Sequence, residues 1–252
     1  MTRGRSASPF PFWRPLSVAG GLLLAWQGLV WLTGVPPFLL PGPGRVAATL
    51  LAEAGLLAGH AAITLAEILA GLALGGALGA GVALAITAAP GLSRWLLPLM
   101  VGSQAVPVFA LAPLLVLWLG YGMPSKVAMA ALIIFFPVAT GFLDGLSRAE
   151  GALTEAARTL GCRGWRLLWR VRVPAALPGL ASGLKVGAAV APIGAVIGEW
   201  VGASAGLGFL MMQANARMQI DLMFAALLVL AAMGVALFRA VEAVLARLLH
   251  WT

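Results

Sequence analysis

An all-α protein that crosses a bilayer several times is what this sequence predicts, and three observations predict it. Of its 252 residues 62% are apolar and only 10% charged, where a soluble domain carries roughly a quarter of its residues charged. Apolar runs long enough to span a membrane recur six times along the chain. The basic residues gather at alternate boundaries of those runs, as membrane topology requires. The 32 glycines fit the same class, because small residues let membrane helices pack closely. A single cysteine, Cys162, excludes an internal disulfide, and two histidines without a cysteine cluster give no metal site. The net charge of +8 does not signal nucleic acid, since no basic block alternates with exposed aromatics on a polar face.

Residues 1–15 hold Arg3, Arg5 and Arg14 among Ser and Pro, too little apolar surface to fold alone, and are expected to form a cytoplasmic tail. Residues 16–33 are long enough to span and lack a cleavage pattern, so they are expected to be a retained first helix. Residues 35–45, rich in Pro and Gly, must turn or extend as an external loop. From Arg45 to Gly59 helical spacing returns and suits a helix along the interface.

The second span, 61–88, places Gly71, Gly75 and Gly79 on one face, open to close helix packing. The third, 95–119, contains Pro98, Pro107 and Pro113 and must break near its middle, which a membrane tolerates only beside protein or a water-filled cavity. Spans at 124–146, 177–200 and 222–245 follow. With both ends inside, thirteen basic residues lie at cytoplasmic boundaries and three outside (Arg45, Lys126, Arg217). That asymmetry orients the chain, N- and C-termini in the cytoplasm.

Between the fourth and fifth spans lies the longest polar interval, 148–174. There Glu155-Ala156-Ala157, Gly161, Val171 and Val173-Pro174 keep the spacing Glu-Ala-Ala, three residues, Gly, nine residues, aliphatic, one residue, aliphatic-Pro. This resembles the signature of the integral-membrane subunits of binding-protein-dependent ABC importers. The likeness extends over 54–246. Pro107 to Pro113, Phe135-Phe136-Pro137 and Pro174 to Pro178 resemble the nitrate, sulfonate and taurine branch. Glu199-Trp200, Gly206-Leu207-Gly208 and Ala214 to Phe224 look most like permeases for pyrimidine precursors of thiamine.

The resemblance implies a type I importer permease fold of six transmembrane helices in a bacterial cytoplasmic membrane. It also implies two ATPase copies, an extracytoplasmic binding protein and a second permease copy, the two permeases forming a homodimer within the lipid. Its 148–174 interval would be a pair of short helices, the first docking on the ATPase. Glu155, Ala156, Ala157, Arg158, Gly161, Arg163, Val171 and Pro174 would carry that coupling. Glu155 favours the positive end of its helix, and Gly161 permits the turn that ends it. The chain has no Gly-x-x-x-x-Gly-Lys-Ser/Thr loop, so ATP and Mg belong to the partner ATPase, and the chain itself has no cofactor or catalytic residue.

The pathway is expected where backbone is irregular at membrane depth, at Ser103, Gln104 and Pro107, with Glu199 at the outer entrance. Gln104 and Ser103 equally suit the satisfaction of a carbonyl freed by the kink. Glu199 equally suits a cap on the following Gly-rich turn. Glu67 is read as structural, Trp200 as an interface anchor and His60 as an interfacial polar residue. Two other classes compete. A self-sufficient channel or secondary transporter would need coupling-ion ligands or an inverted repeat, and an intramembrane enzyme would need paired acids or a nucleophile-base set. Neither pattern is found. For the solute, sulfonate, taurine or nitrate is the alternative to a pyrimidine.

Overall fold

The computed structural model describes residues 13–149 and 151–250, and every regular element among them is a helix. Most of the expected tail, residues 1–12, lies outside the described residues. The elements are α1 (Trp13–Thr33), α2 (Pro43–Ala52), α3 (Ala54–Ala88), α4 (Pro90–Ala105), α5 (Val108–Leu119) and α6 (Met123–Arg148). They continue with α7 (Ala152–Thr159), α8 (Gly164–Leu167), α9 (Val173–Gly202), α10 (Leu207–Ala216) and α11 (Ile220–Leu248).

The six expected spans resolve into three kinds. Four are long, apolar helices: α3, α6, the continuous run Gly164–Gly202 and α11. One is a pair, α4 and α5, bent by 101°. One is shorter, the apolar stretch Ser17–Thr33 of α1.

Several boundaries differ from the expected ones. The interfacial helix over 45–59 breaks at Glu53, and residues 54–59 already belong to α3. At 35 residues α3 is about 52 Å long and outreaches a hydrocarbon core of about 30 Å. Of the three prolines in the third span only Pro107 divides it. Val106 is extended (φ −89°, ψ 117°), as a residue before proline prefers, whereas Pro98 and Pro113 sit inside α4 and α5 without ending them.

The helix that carries the expected fifth span begins thirteen residues before position 177, at Gly164. The second short helix of the polar interval, α8, therefore runs straight into α9 through a π-helical stretch, Leu168–Arg172. There the Val173 N–H reaches back to Leu168 O, a wider turn beside Pro174, whose nitrogen has no proton to give.

The bundle is organised on α6, which glycine faces approach from two sides. A Cβ on Gly75 of α3 would lie 2.6 Å from Ala131 O, and one on Gly79 would lie 2.7 Å from Phe135 O. Gly71 meets Ala130 in the same way. From the other side Gly179 and Gly183 of α9 meet the backbone at Gly141 and Pro137. Only residues without a side chain permit such approach, and the dispersion gained along it is what holds helices together where lipid is as apolar as leucine. The buried centre between them is Ile68, Ala130, Ile134, Val138, Ala188, Ala191 and Ala195, with Leu237 of α11 closing it.

Candidate functional site

Two constructions stand at opposite ends of this bundle. The first is the elbow between α6 and α9. Helix α7 ends in a Schellman motif: Gly161 takes φ +83°, its N–H bonds Arg158 O at 3.0 Å, and Cys162 N–H bonds Ala157 O at 2.9 Å. Gly161 is thus required by backbone conformation, since no atom lies within 4 Å of where its Cβ would be.

Thr154 anchors the near side by donating its hydroxyl to Ala149 O. Arg172 anchors the far side, donating to Leu146 O at 3.3 Å, at the negative end of α6. Outward the elbow presents Glu155, Ala156, Arg158, Leu160, Arg163 and Trp165, all exposed, while Ala157 and Val171 are half-buried and Pro174 exposed. Leu160 is 88% exposed and Trp165 67%, the latter set edge-on to Trp169.

The second construction sits where α3, α9 and α10 meet. The first N–H groups of a helix have no intrahelical partner. In α10 side chains of other helices supply them all. Gly206 N–H bonds His60 Nδ1 (3.0 Å), Leu207 N–H bonds Thr64 Oγ1 (2.8 Å), and Gly208 and Phe209 N–H bond Glu199 Oε2 (2.5 and 3.3 Å). Thr64 in turn donates to Glu199 Oε1 at 2.6 Å. The Glu199 carboxylate, fully buried, therefore lies at the positive end of α10.

Gly206 (φ +115°) has no room for a side chain against that carboxylate. Nearby, buried Lys126 donates to the carbonyls of Tyr121, Gly122 and Gly202, closing the end of α9. Buried Glu67 lies in the field of both Glu199 and Lys126.

The pathway candidates do not form one cluster. Ser103, Gln104 and Pro107 are exposed at the bend, where Ser103 Oγ donates to Met100 O at 2.6 Å and Gln104 Nε2 donates to Ser103 Oγ at 3.4 Å. Glu199 instead faces α3 and α10 from the interior, so its contacts are those of a cap on the Gly-rich turn. Sequence reasoning missed that constellation, although His60, Thr64 and Glu67 stand at helical spacing on one face of an otherwise apolar run. It also placed Lys126 at a water boundary, where the structure buries it.

A bundle of long apolar helices, one span of them broken, with a separate polar elbow, is the build of a multi-pass membrane protein. Residues 75–250 match the model of the binding-protein-dependent transport system inner membrane component, and the chain belongs to that family. It is 49% identical to a probable ABC transporter permease protein of Haemophilus influenzae, over 93% of this chain and 96% of that one. It is 36% identical to the formylaminopyrimidine transport permease protein of Halalkalibacterium halodurans (91% and 92%) and 38% identical to a riboflavin transport system permease protein of Chloroflexus aurantiacus (86% and 82%). A taurine transport system permease protein of Escherichia coli is similar at 32% identity (91% and 86%). The chain is thus an ABC transporter permease, and not itself an enzyme.

Proposed function

We propose that the chain imports a pyrimidine precursor of thiamine, handed to it by an extracytoplasmic binding protein and driven by ATP hydrolysis on two copies of a separate ATPase. A second copy of the chain completes the pathway, both termini face the cytoplasm, and ATP and Mg stay on the ATPase. The observation that carries the solute is the similarity to a formylaminopyrimidine permease along nearly the whole of both chains.

The coupling role rests on the elbow. Glu155, Ala156, Arg158 and Arg163 offer charge and accessible backbone, and Leu160 and Trp165 offer apolar surface that water alone would not favour exposing. Anchored by Thr154 and Arg172, such a surface can pass a push to α6 and α9 together.

The test is reconstitution in proteoliposomes with the cognate ATPase and binding protein. ATP-dependent accumulation of hydroxymethylpyrimidine or formylaminopyrimidine is expected, together with loss of ATPase co-purification in Leu160→Asp with Trp165→Ala. Accumulation of taurine, another sulfonate, nitrate or riboflavin in its place overturns the solute. Transport by the chain alone under an ion gradient overturns the importer.

A further inference from the structure

Glu67 has no task in the cap of α10 or at the elbow. It stands in the first half of α3, on the face that carries His60 and Thr64, and only 2% of it is exposed. Its carboxyl group lies within hydrogen-bonding reach of the Glu199 carboxyl group of α9. An ionised carboxylate only accepts, so two of them can bond to each other only if one carries a proton.

The donors around the pair are committed elsewhere. Lys126 Nζ has three protons, and they go to the carbonyls of Tyr121 (2.8 Å), Gly122 (3.1 Å) and Gly202 (3.3 Å). Thr64 has one hydroxyl proton, directed at Glu199 Oε1 at 2.6 Å, with His60 O at 3.2 Å as the longer alternative. The N–H groups of Gly208 and Phe209 go to Glu199 Oε2, that of Gly206 to His60 Nδ1 and that of Leu207 to Thr64. Among the described residues no donor reaches Glu67 Oε2, although that atom is buried.

The two acids are therefore treated differently. Glu199 receives three donated hydrogen bonds, which favours its charged form and leaves about one of its roughly four acceptor positions open. Glu67 receives none at Oε2, and as an anion it would be an unpaired buried charge.

We infer that Glu67 is a neutral carboxylic acid whose O–H donates to Glu199, so that a bound proton closes the junction of α3, α9 and α10 and its removal loosens that junction. The groups facing the pair are Glu199 from α9, Lys126 from α6, the N–H end of α10, and His60 and Thr64 from α3 itself. Helices α2 and α11 bring Arg45 and Asp221, which pair with each other at the surface. With the proton in place, one buried anion is balanced by one buried ammonium. When a base in the surrounding water takes it, a second carboxylate faces the first, and Lys126 has no proton left to offer. The repulsion falls between α3 and the two helices it holds. The inference depends neither on the solute nor on the importer reading.

Infrared spectroscopy of the protein in nanodiscs reads the proton directly. At neutral pH the C=O band of a protonated carboxyl is expected in the wild type, lost in Glu67→Gln and lost from the wild type on alkaline titration. Glutamine keeps a donor and an acceptor without a titratable proton, so the unfolding midpoint of Glu67→Gln should stay within about 2 °C of the wild type near neutrality. In alkaline buffer the wild type should fall several degrees below the variant, and its Gly206–Phe209 amides should exchange faster than the variant's at the same pH. Absence of the band at neutral pH, or a band unchanged in Glu67→Gln, overturns the bound proton. Midpoints that track together into alkaline pH overturn the latch, and a wild-type midpoint that follows sodium concentration instead of pH assigns a metal cation in the proton's place. Should Glu67→Gln fail to fold, the wild-type band and its alkaline loss decide the matter alone.

Discussion

The two ends of this molecule handle polar groups in opposite ways. Around α10 the charges are inside: Glu67, Lys126 and Glu199 are buried, and Lys126 and Glu199 are hydrogen-bonded to backbone termini that would otherwise go unpaired. At the elbow the charges are outside, with Arg158, Arg163, Arg166 and Arg170 exposed, while Thr154 and Arg172 turn inward to carbonyls. The buried end is a lock, because a satisfied polar group in low dielectric is costly to displace. The exposed end is a handle: its conformation is set by local backbone motifs, and its surface is left for something else to hold.

The sharpest way to break this contrast is at Glu199. Glu199→Leu strands the N–H groups of Gly208 and Phe209 and leaves the Thr64 hydroxyl only the His60 carbonyl at 3.2 Å, and should cost about 3 kcal/mol or more. Thermal unfolding of the detergent-solubilised protein reads it, and an unchanged midpoint would remove the lock. Glu199→Gln, which keeps an acceptor, should lose about 1 kcal/mol, separating hydrogen bonding from charge.

Next in size is the helix seam between the two ends. Gly75→Val drives a side chain toward Ala131 O and should destabilise by about 1–3 kcal/mol, while Gly81→Val, with nothing within 4 Å of its Cβ, serves as the silent control. Equal effects in the two would mean that close approach to α6 is not what Gly75 provides.

At the handle, Gly161→Ala meets no atom but must adopt φ +83°, so about 1 kcal/mol of local strain is expected. The unfolding midpoint should scarcely move, while hydrogen exchange at the end of α7 rises and ATPase binding weakens. A large midpoint shift would place the elbow within the cooperative core.

The smallest effect is expected at Arg45→Ala. Its pair with Asp221 (3.1 Å) ties α2 to α11 across exposed surface, and such pairs contribute at most about 1 kcal/mol, screened by salt. A loss that persists in high salt would assign Arg45 a role beyond that pair.

Legibility in the sequence followed the range of the physics. Local signals were readable: the four-residue spacing of Gly71, Gly75 and Gly79, the spacing from Glu155 to Pro174 that marks the family, and the presence of a break in a span with three prolines. Which proline makes the break was not readable. Pro98, Pro107 and Pro113 look alike along the chain, and only at Pro107 does the preceding residue leave the helix. Helix α10 escaped notice because ten residues are too few to span and its caps come from His60, Thr64 and Glu199, at least eight residues away in the chain or on another helix. That the helix of the fifth span is continuous from Gly164 was not readable, because Arg163 to Arg172 make the segment polar, although arginine is a good helix former.

Membrane residence, helical class and the position of the polar elbow were determined by the sequence alone, because hydrophobic transfer and backbone satisfaction act residue by residue along a span. The partners of buried Glu199 and Lys126 were decided only in the folded bundle. They depend on which distant group arrives within about 3 Å of one the chain leaves unpaired, and no local rule specifies that arrival.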